Sequence, residues 1–262
     1  MVQRTKHAQP GGCAPAGPTR PAPAGRSFAK VRGVGETIEF ASNGNTASGY
    51  LATPPGGRGP GLIVIQEWWG LNPQIKRTAD RFAAEGFVAL APDLYHGELA
   101  GHDEMDKAGR LMEEMPADRA ARDMSGAVDH LRNLDITTGS GIGVVGFCMG
   151  GMLTFILAAI RPDAVKAAVP FYGFPQGDDE PDYSKLSARV WGHMASPDDY
   201  FTPEAAKELE ARLVAMGKDV KIDVHQAGHA FMNEEDAMGT YDAELAERLW
   251  PQVVTFLRES LA

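Results

Sequence analysis

Cysteine is nearly absent: among 262 residues only Cys13 and Cys148 carry a thiol, and they stand in stretches of opposite character. Two thiols so placed exclude a disulfide framework and offer no zinc-ligand spacing, and they point to a reducing compartment, read here as cytoplasmic. Long apolar runs are missing as well. No stretch reaches the roughly 18 apolar residues of a membrane span, and no apolar core of roughly 7 to 15 residues follows Arg4 and Lys6, as a secretory signal would require. Basic charge is in deficit, with 25 Lys and Arg against 35 Asp and Glu and a formal net charge of −10. That balance argues against nucleic acid or an anionic membrane as partner, since both call for clustered Lys and Arg.

Residues 1–30 lack bulky apolar side chains. Pro10, Gly11, Gly12, Pro15, Gly17, Pro18, Pro21, Pro23 and Gly25 fill this stretch, and such a segment cannot bury enough surface to offset its ordering entropy, so a disordered tail is expected. The remainder, 31–262, fits one α/β domain able to bury on the order of 70% of its unfolded surface.

Within that domain the apolar periodicity predicts strands near 37–41, 46–53, 62–66, 88–91, 142–145, 164–172, 188–192 and 220–224. Helices are predicted most clearly over 74–85, 120–133, 152–160, 203–216 and 241–259. The first two strands read as an edge hairpin over Ser42, Asn43, Gly44 and Asn45, whose Asn-Gly pair suits a tight turn. From there on strand and helix alternate, which predicts a mostly parallel sheet with an antiparallel N-terminal edge and helices on both faces.

The run Val144, Val145, Gly146, Phe147, Cys148, Met149, Gly150, Gly151 sets a thiol in a glycine-flanked turn between a β-branched strand and an apolar, proline-free helical run. It reads as a nucleophile elbow with cysteine in place of serine. The bland alternatives are a phosphate-binding or ordinary tight turn and a buried structural cysteine.

A cysteine in such a turn needs a base for its proton and an acid to orient that base. Past the strand at 188–192 come Asp198 and Asp199, and past the strand at 220–224 comes His229. Residues at the carboxyl ends of neighbouring parallel strands converge on one crevice. Of seven histidines, His7 falls in the tail, His130 on a helix surface, and His96 and His102 in a polar loop. His193 and His225 flank strands, and His229 lies on the strand-end loop. Between Asp198 and Asp199 these arguments do not choose.

These residues carry a resemblance. Gln66, Glu67, Trp68, Trp69 and Gly70 follow the third strand. Pro92, Asp93, Leu94 and Tyr95 follow the fourth. The cysteine elbow ends in Gly150 and Gly151, His193 and Met194 lead to the acid, and Gly228, His229 and Phe231 close the series. In this order, from about Gly33 to the C-terminus, the chain resembles the dienelactone hydrolase family of α/β-hydrolases.

The resemblance implies an α/β-hydrolase fold and cleavage of a small ester or lactone, of the dienelactone (carboxymethylenebutenolide) type, through a thioester on Cys148. No metal or organic cofactor is implied. Its Asp-x-Phe-x-Pro pattern, here Asp199 to Pro203, points to Asp199 as the acid. It places one oxyanion N–H at Trp68, beside that of Met149, which follows the nucleophile. It also sets Glu67 against the resting thiol, where a carboxylate raises the thiol pKa and keeps the cysteine neutral.

The best-known members hold a substrate carboxylate with arginines. Here Asn233 stands where one is expected, and Arg110 is the nearest candidate for another. Glu234, Glu235 and Asp236 add negative charge, so a less charged substrate is expected. Trp68 and Trp69 are candidates to line an apolar pocket. Two other readings are a general carboxylesterase or thioesterase on other acyl groups, and a non-catalytic redox-sensing or ligand-binding protein. A sensor, however, needs no acid-oriented base.

Overall fold

In the computed structural model, which describes residues 35–42 and 44–262, eight strands form a single sheet. The expected tail over 1–30 and Asn43 of the expected turn lie outside the described residues. β1 (Glu36–Ser42) and β2 (Asn45–Ala52) pair antiparallel and end opposite each other at Ser42 and Asn45. β2 runs antiparallel to β4 (Val88–Pro92). The remaining strands are parallel: β3 (Gly59–Ile65), β5 (Thr137–Phe147), β6 (Val165–Phe171), β7 (Arg189–Ala195) and β8 (Val220–His225). The order across the sheet is β1-β2-β4-β3-β5-β6-β7-β8, the mostly parallel sheet with an antiparallel N-terminal edge that the alternation predicts.

Central strands of such a sheet are covered on both faces and therefore read as continuous apolar runs. In β3, Ile63 and Ile65 pack on one side and Leu62 and Val64 on the other, all fully buried. Each such side chain contributes roughly 1.5–3 kcal/mol on leaving water. The first face is closed by α3 (Ala117–Asn133), α4 (Met149–Ile160) and α5 (Pro203–Ala215), through residues such as Val128, Phe155 and Leu209. The second is closed by α1 (Pro73–Ala84) and α6 (Ala243–Leu261), through Phe82, Val253 and Leu257.

Helix starts follow local chemistry. The Asn72 side chain accepts the Ile75 N–H at 3.0 Å with Pro73 opening α1, and Thr202 does the same for Ala205 with Pro203 opening α5.

One helix falls outside the sequence expectation: α2 (Met105–Glu113). Its only fully buried side chain is Ala108, and Glu104 at its N-cap makes no side-chain capping bond. The capping signal that marks a helix start in sequence is thus missing, and Gly109 in the middle of the run lowers its helix propensity. Among the described residues, no helix is long and apolar enough to cross a membrane.

Candidate active site

Because β3, β5, β6, β7 and β8 are parallel and adjacent in that order, their carboxyl ends open on one crevice. β3 delivers Glu67 and Trp68, β5 delivers Cys148, and the loops after β7 and β8 deliver Asp198 and His229. Cys148 joins β5 to α4 with φ 54° and ψ −117°, a left-handed backbone for a residue with a side chain. Such a conformation costs on the order of 1–3 kcal/mol, and the surrounding packing must hold it in place. The flanking glycines permit that packing. A Cβ on Gly146 would lie 2.1 Å from the Gly150 carbonyl oxygen, and one on Gly150 would lie 2.6 Å from the carbonyl oxygens of Ile65 and Gln66. Either side chain would push α4 off the sheet and dismantle the turn.

The imidazole of His229 is buried among Tyr172, Tyr200 and Phe201, with ring centroids 5.1–5.9 Å away. Its Nδ1 meets Asp198 Oδ2 at 2.7 Å. This corrects the expectation for the acid: Asp198, not Asp199, faces the histidine. The reason is local. Asp198 Oδ1 accepts the backbone N–H groups of Tyr200 (2.9 Å) and Phe201 (3.1 Å), a turn that aims its other oxygen inward. Asp199, one residue on, is left exposed to solvent.

Glu67 lies buried beneath the thiol. Its Oε2 accepts from Asn233 Nδ2 at 2.7 Å and its Oε1 from the Tyr172 hydroxyl at 3.2 Å. Burial raises its pKa, and the His229 charge, Asn233 and Tyr172 oppose that shift. Cys148 is half-buried, and its thiol pKa is pushed far above the ordinary range. Burial is the larger cause and the Glu67 carboxylate the next, with the Met149 N–H pulling the other way. Both causes favour the protonated thiol over the thiolate.

Above the sulfur lies a cavity of about 350 Å³. Cys148 and His229 both line it, together with Met112, Met149, Met152, Met238, Trp68, Tyr200 and Phe201. Trp69 lies in a small cluster with Ala100 and Ala108 beneath α2 and does not line the cavity. Trp68 is steadied from below, where the Tyr95 hydroxyl donates to its carbonyl oxygen at 3.1 Å.

Arg110 sits exposed on α2 and does not line the cavity. Asn233 is occupied with Glu67. The acidic run after it is partly neutralised, because Arg77 of α1 pairs with both Glu234 (2.9 Å) and Glu235. That partner stands 157 residues away in the chain from Glu234 and left no local signal.

The other histidines are held elsewhere. His193 is fully buried against Phe171 and Trp191, with Nδ1 3.1 Å from His225 Nε2. His96 binds Asp123 at 2.7 Å. Among the described residues, no group of three or more His, Cys, Asp or Glu is placed to hold a metal ion.

Comparison with known proteins agrees with this geometry. "Protein usf" of Aquifex pyrophilus is 39% identical over 235 residues, covering 87% of this chain and all of that protein. A protein of Aquifex aeolicus named "Putative carboxymethylenebutenolidase" is 34% identical over the same shares of both chains. In fold, the chain matches a dienelactone hydrolase-like promiscuous phosphotriesterase from metagenomic libraries with a TM-score of 0.72 at 22% identity, covering 87% of this chain and 98% of that one. A model of the dienelactone hydrolase family matches residues 47–261. With the cysteine elbow, the buried glutamate beneath it and the strand-end histidine in place, the chain belongs to the dienelactone hydrolase family and is a hydrolase of that type.

Proposed function

We propose that the protein hydrolyses a small ester or lactone by acyl transfer to Cys148, with His229 as the base and Asp198 as its orienting acid. The observation that carries this reading is the His229 Nδ1 to Asp198 Oδ2 contact at 2.7 Å, on a histidine that shares one cavity wall with the elbow cysteine. A carboxylate on Nδ1 fixes the tautomer that leaves Nε2 free to take a proton, and it stabilises the imidazolium that forms.

In the first half-reaction the Cys148 sulfur attacks the substrate carbonyl carbon while its proton passes to His229. The developing oxyanion lies against the backbone N–H groups of Met149 and Trp68. Collapse breaks the carbon–oxygen bond of the ester, and His229 returns its proton to the departing oxygen. Water, deprotonated by His229, then attacks the thioester carbon. The sulfur leaves and recovers the proton, and a carboxylic acid is released.

Glu67 supports the resting state of this cycle. Its charge holds the thiol protonated and so slows oxidation by peroxides, which act on the thiolate. The free thiol of Cys148 at the cavity supports a small-molecule substrate in a reducing, cytoplasmic setting.

The test is hydrolysis of a small activated ester and of a dienelactone by the intact chain and by Cys148→Ala, with intact-mass detection of the acyl-enzyme. Turnover lost in the variant, with an adduct on Cys148, supports the scheme. Equal rates for the two proteins would overturn it.

A further inference from the structure

We infer that the cavity selects the acyl group of neutral, flexible, apolar esters and turns carboxylate-bearing ones away, with Asp179 as a specificity-determining residue at its wall. This rests on the hydrolase reading above and specifies its substrate.

Three independent features of the cavity point the same way. The first is its wall. Four methionines reach it from three segments: Met112 from α2, Met149 and Met152 from α4, and Met238 from the loop before α6. Unbranched thioethers repack around differently shaped apolar groups at little cost, so a wall of this kind tolerates variation in chain length and branching.

The second feature is charge. Among the described residues no Lys or Arg side chain lines the cavity, while Asp179 does, from an exposed 3-10 turn over Gly177–Asp179. The neighbouring cation, Arg77, is engaged by Glu234 and Glu235, and Asn233 gives its amide to Glu67. A ligand carboxylate would therefore sit unpaired, facing Asp179 and with Glu67 and Asp198 beneath it. Desolvation and like charge both disfavour that placement.

The third feature is size. A cavity of about 350 Å³ stands near the lower end of the range for small-molecule pockets, which suits a short acyl group with its leaving group projecting to solvent.

The experiment compares p-nitrophenyl butyrate with the p-nitrophenyl monoester of glutaric acid, which share a leaving group and differ by a terminal carboxylate. In the intact chain, kcat/KM should favour the neutral ester by about tenfold or more, and Asp179→Lys should narrow that ratio by about fivefold, chiefly through KM. Across propanoate, butyrate, hexanoate and benzoate esters, kcat/KM should vary by less than about tenfold, as an adaptable wall requires.

A wild-type preference for the anionic ester, or a ratio that Asp179→Lys leaves unmoved, would overturn the charge assignment. A steep optimum at one acyl group would overturn the adaptable wall. Both failures would come with Cys148-dependent turnover intact. Loss of turnover on every ester would instead bring down the hydrolase reading, and this inference with it.

Discussion

His229 and His193 sit near the carboxyl ends of the last two strands, both buried and both among aromatic rings, yet their chemistry is opposite. His229 has a carboxylate at Nδ1. His193 has another imidazole there, that of His225, and its Nε2 is buried without a hydrogen-bond partner. Burial first, and His225 second, press the His193 pKa down to about 3, while His225 is itself lowered by burial. A buried ring with a counter-charge can accept a proton during turnover. A buried ring facing a second ring is disfavoured from charging, and this one packs against Phe171 and Trp191. Burial alone therefore does not identify a functional histidine; the group at its second nitrogen does.

The sharpest way to break this comparison is to remove each ring in turn. His229→Ala should lower kcat on an activated ester by on the order of 10³- to 10⁴-fold, whereas His193→Phe should leave it within about threefold. Comparable losses in steady-state assays would mean that the two rings are coupled. The next largest effect separates the neighbouring aspartates: Asp198→Asn should cost roughly 10²- to 10⁴-fold in kcat, and Asp199→Asn less than about twofold.

A smaller effect reports on Glu67. In Glu67→Gln the Cys148 pKa should fall, since one of its two main causes is gone, and alkylation by iodoacetamide at neutral pH should quicken by about tenfold. An unchanged rate would show that desolvation alone sets the thiol.

The last effect lies in stability. The folded His193 pKa, about 3, is below its unfolded value, so the unfolded chain binds the proton first as pH drops. Its contribution is intact above about pH 6.5 and is lost toward pH 3, by up to about 1.4 kcal/mol per pH unit. Urea unfolding across that window should show a shallower acid limb in His193→Phe than in the parent.

Much of this site can be read in the sequence because its constraints are local. Gly146, Cys148 and Gly150 announce a close strand-to-helix approach through spacing alone, and the strand alternation ahead of Gly228 and His229 places the base at a strand end. The histidine's partner was not legible from periodicity, and the family pattern pointed to Asp199, whereas Asp198 faces His229. Which of two adjacent aspartates turns inward depends on the backbone N–H groups of Tyr200 and Phe201, whose geometry exists only in the folded turn. The Arg77 clasp on Glu234 and Glu235 joins α1 to the loop after β8, and nothing at either end announces the other. For α2 the sequence carries no capping side chain and a glycine at mid-helix, so its start does not declare itself.

The light burial of α2 bears on its motion. α2 is fastened through Ala108 and half-buried Leu111 to a small cluster around Trp69, while Met112 on its flank contributes to the cavity. A helix held by so few buried groups opens with a small fraction of the free energy that unfolds the sheet. Its backbone amides should exchange with deuterium well before those of α4, which is apolar along its whole length. The cavity wall would then breathe on the microsecond-to-millisecond scale while the elbow beneath it stays still. Exchange as slow in α2 as in α4 would show that the wall at Met112 is as firmly held as the elbow.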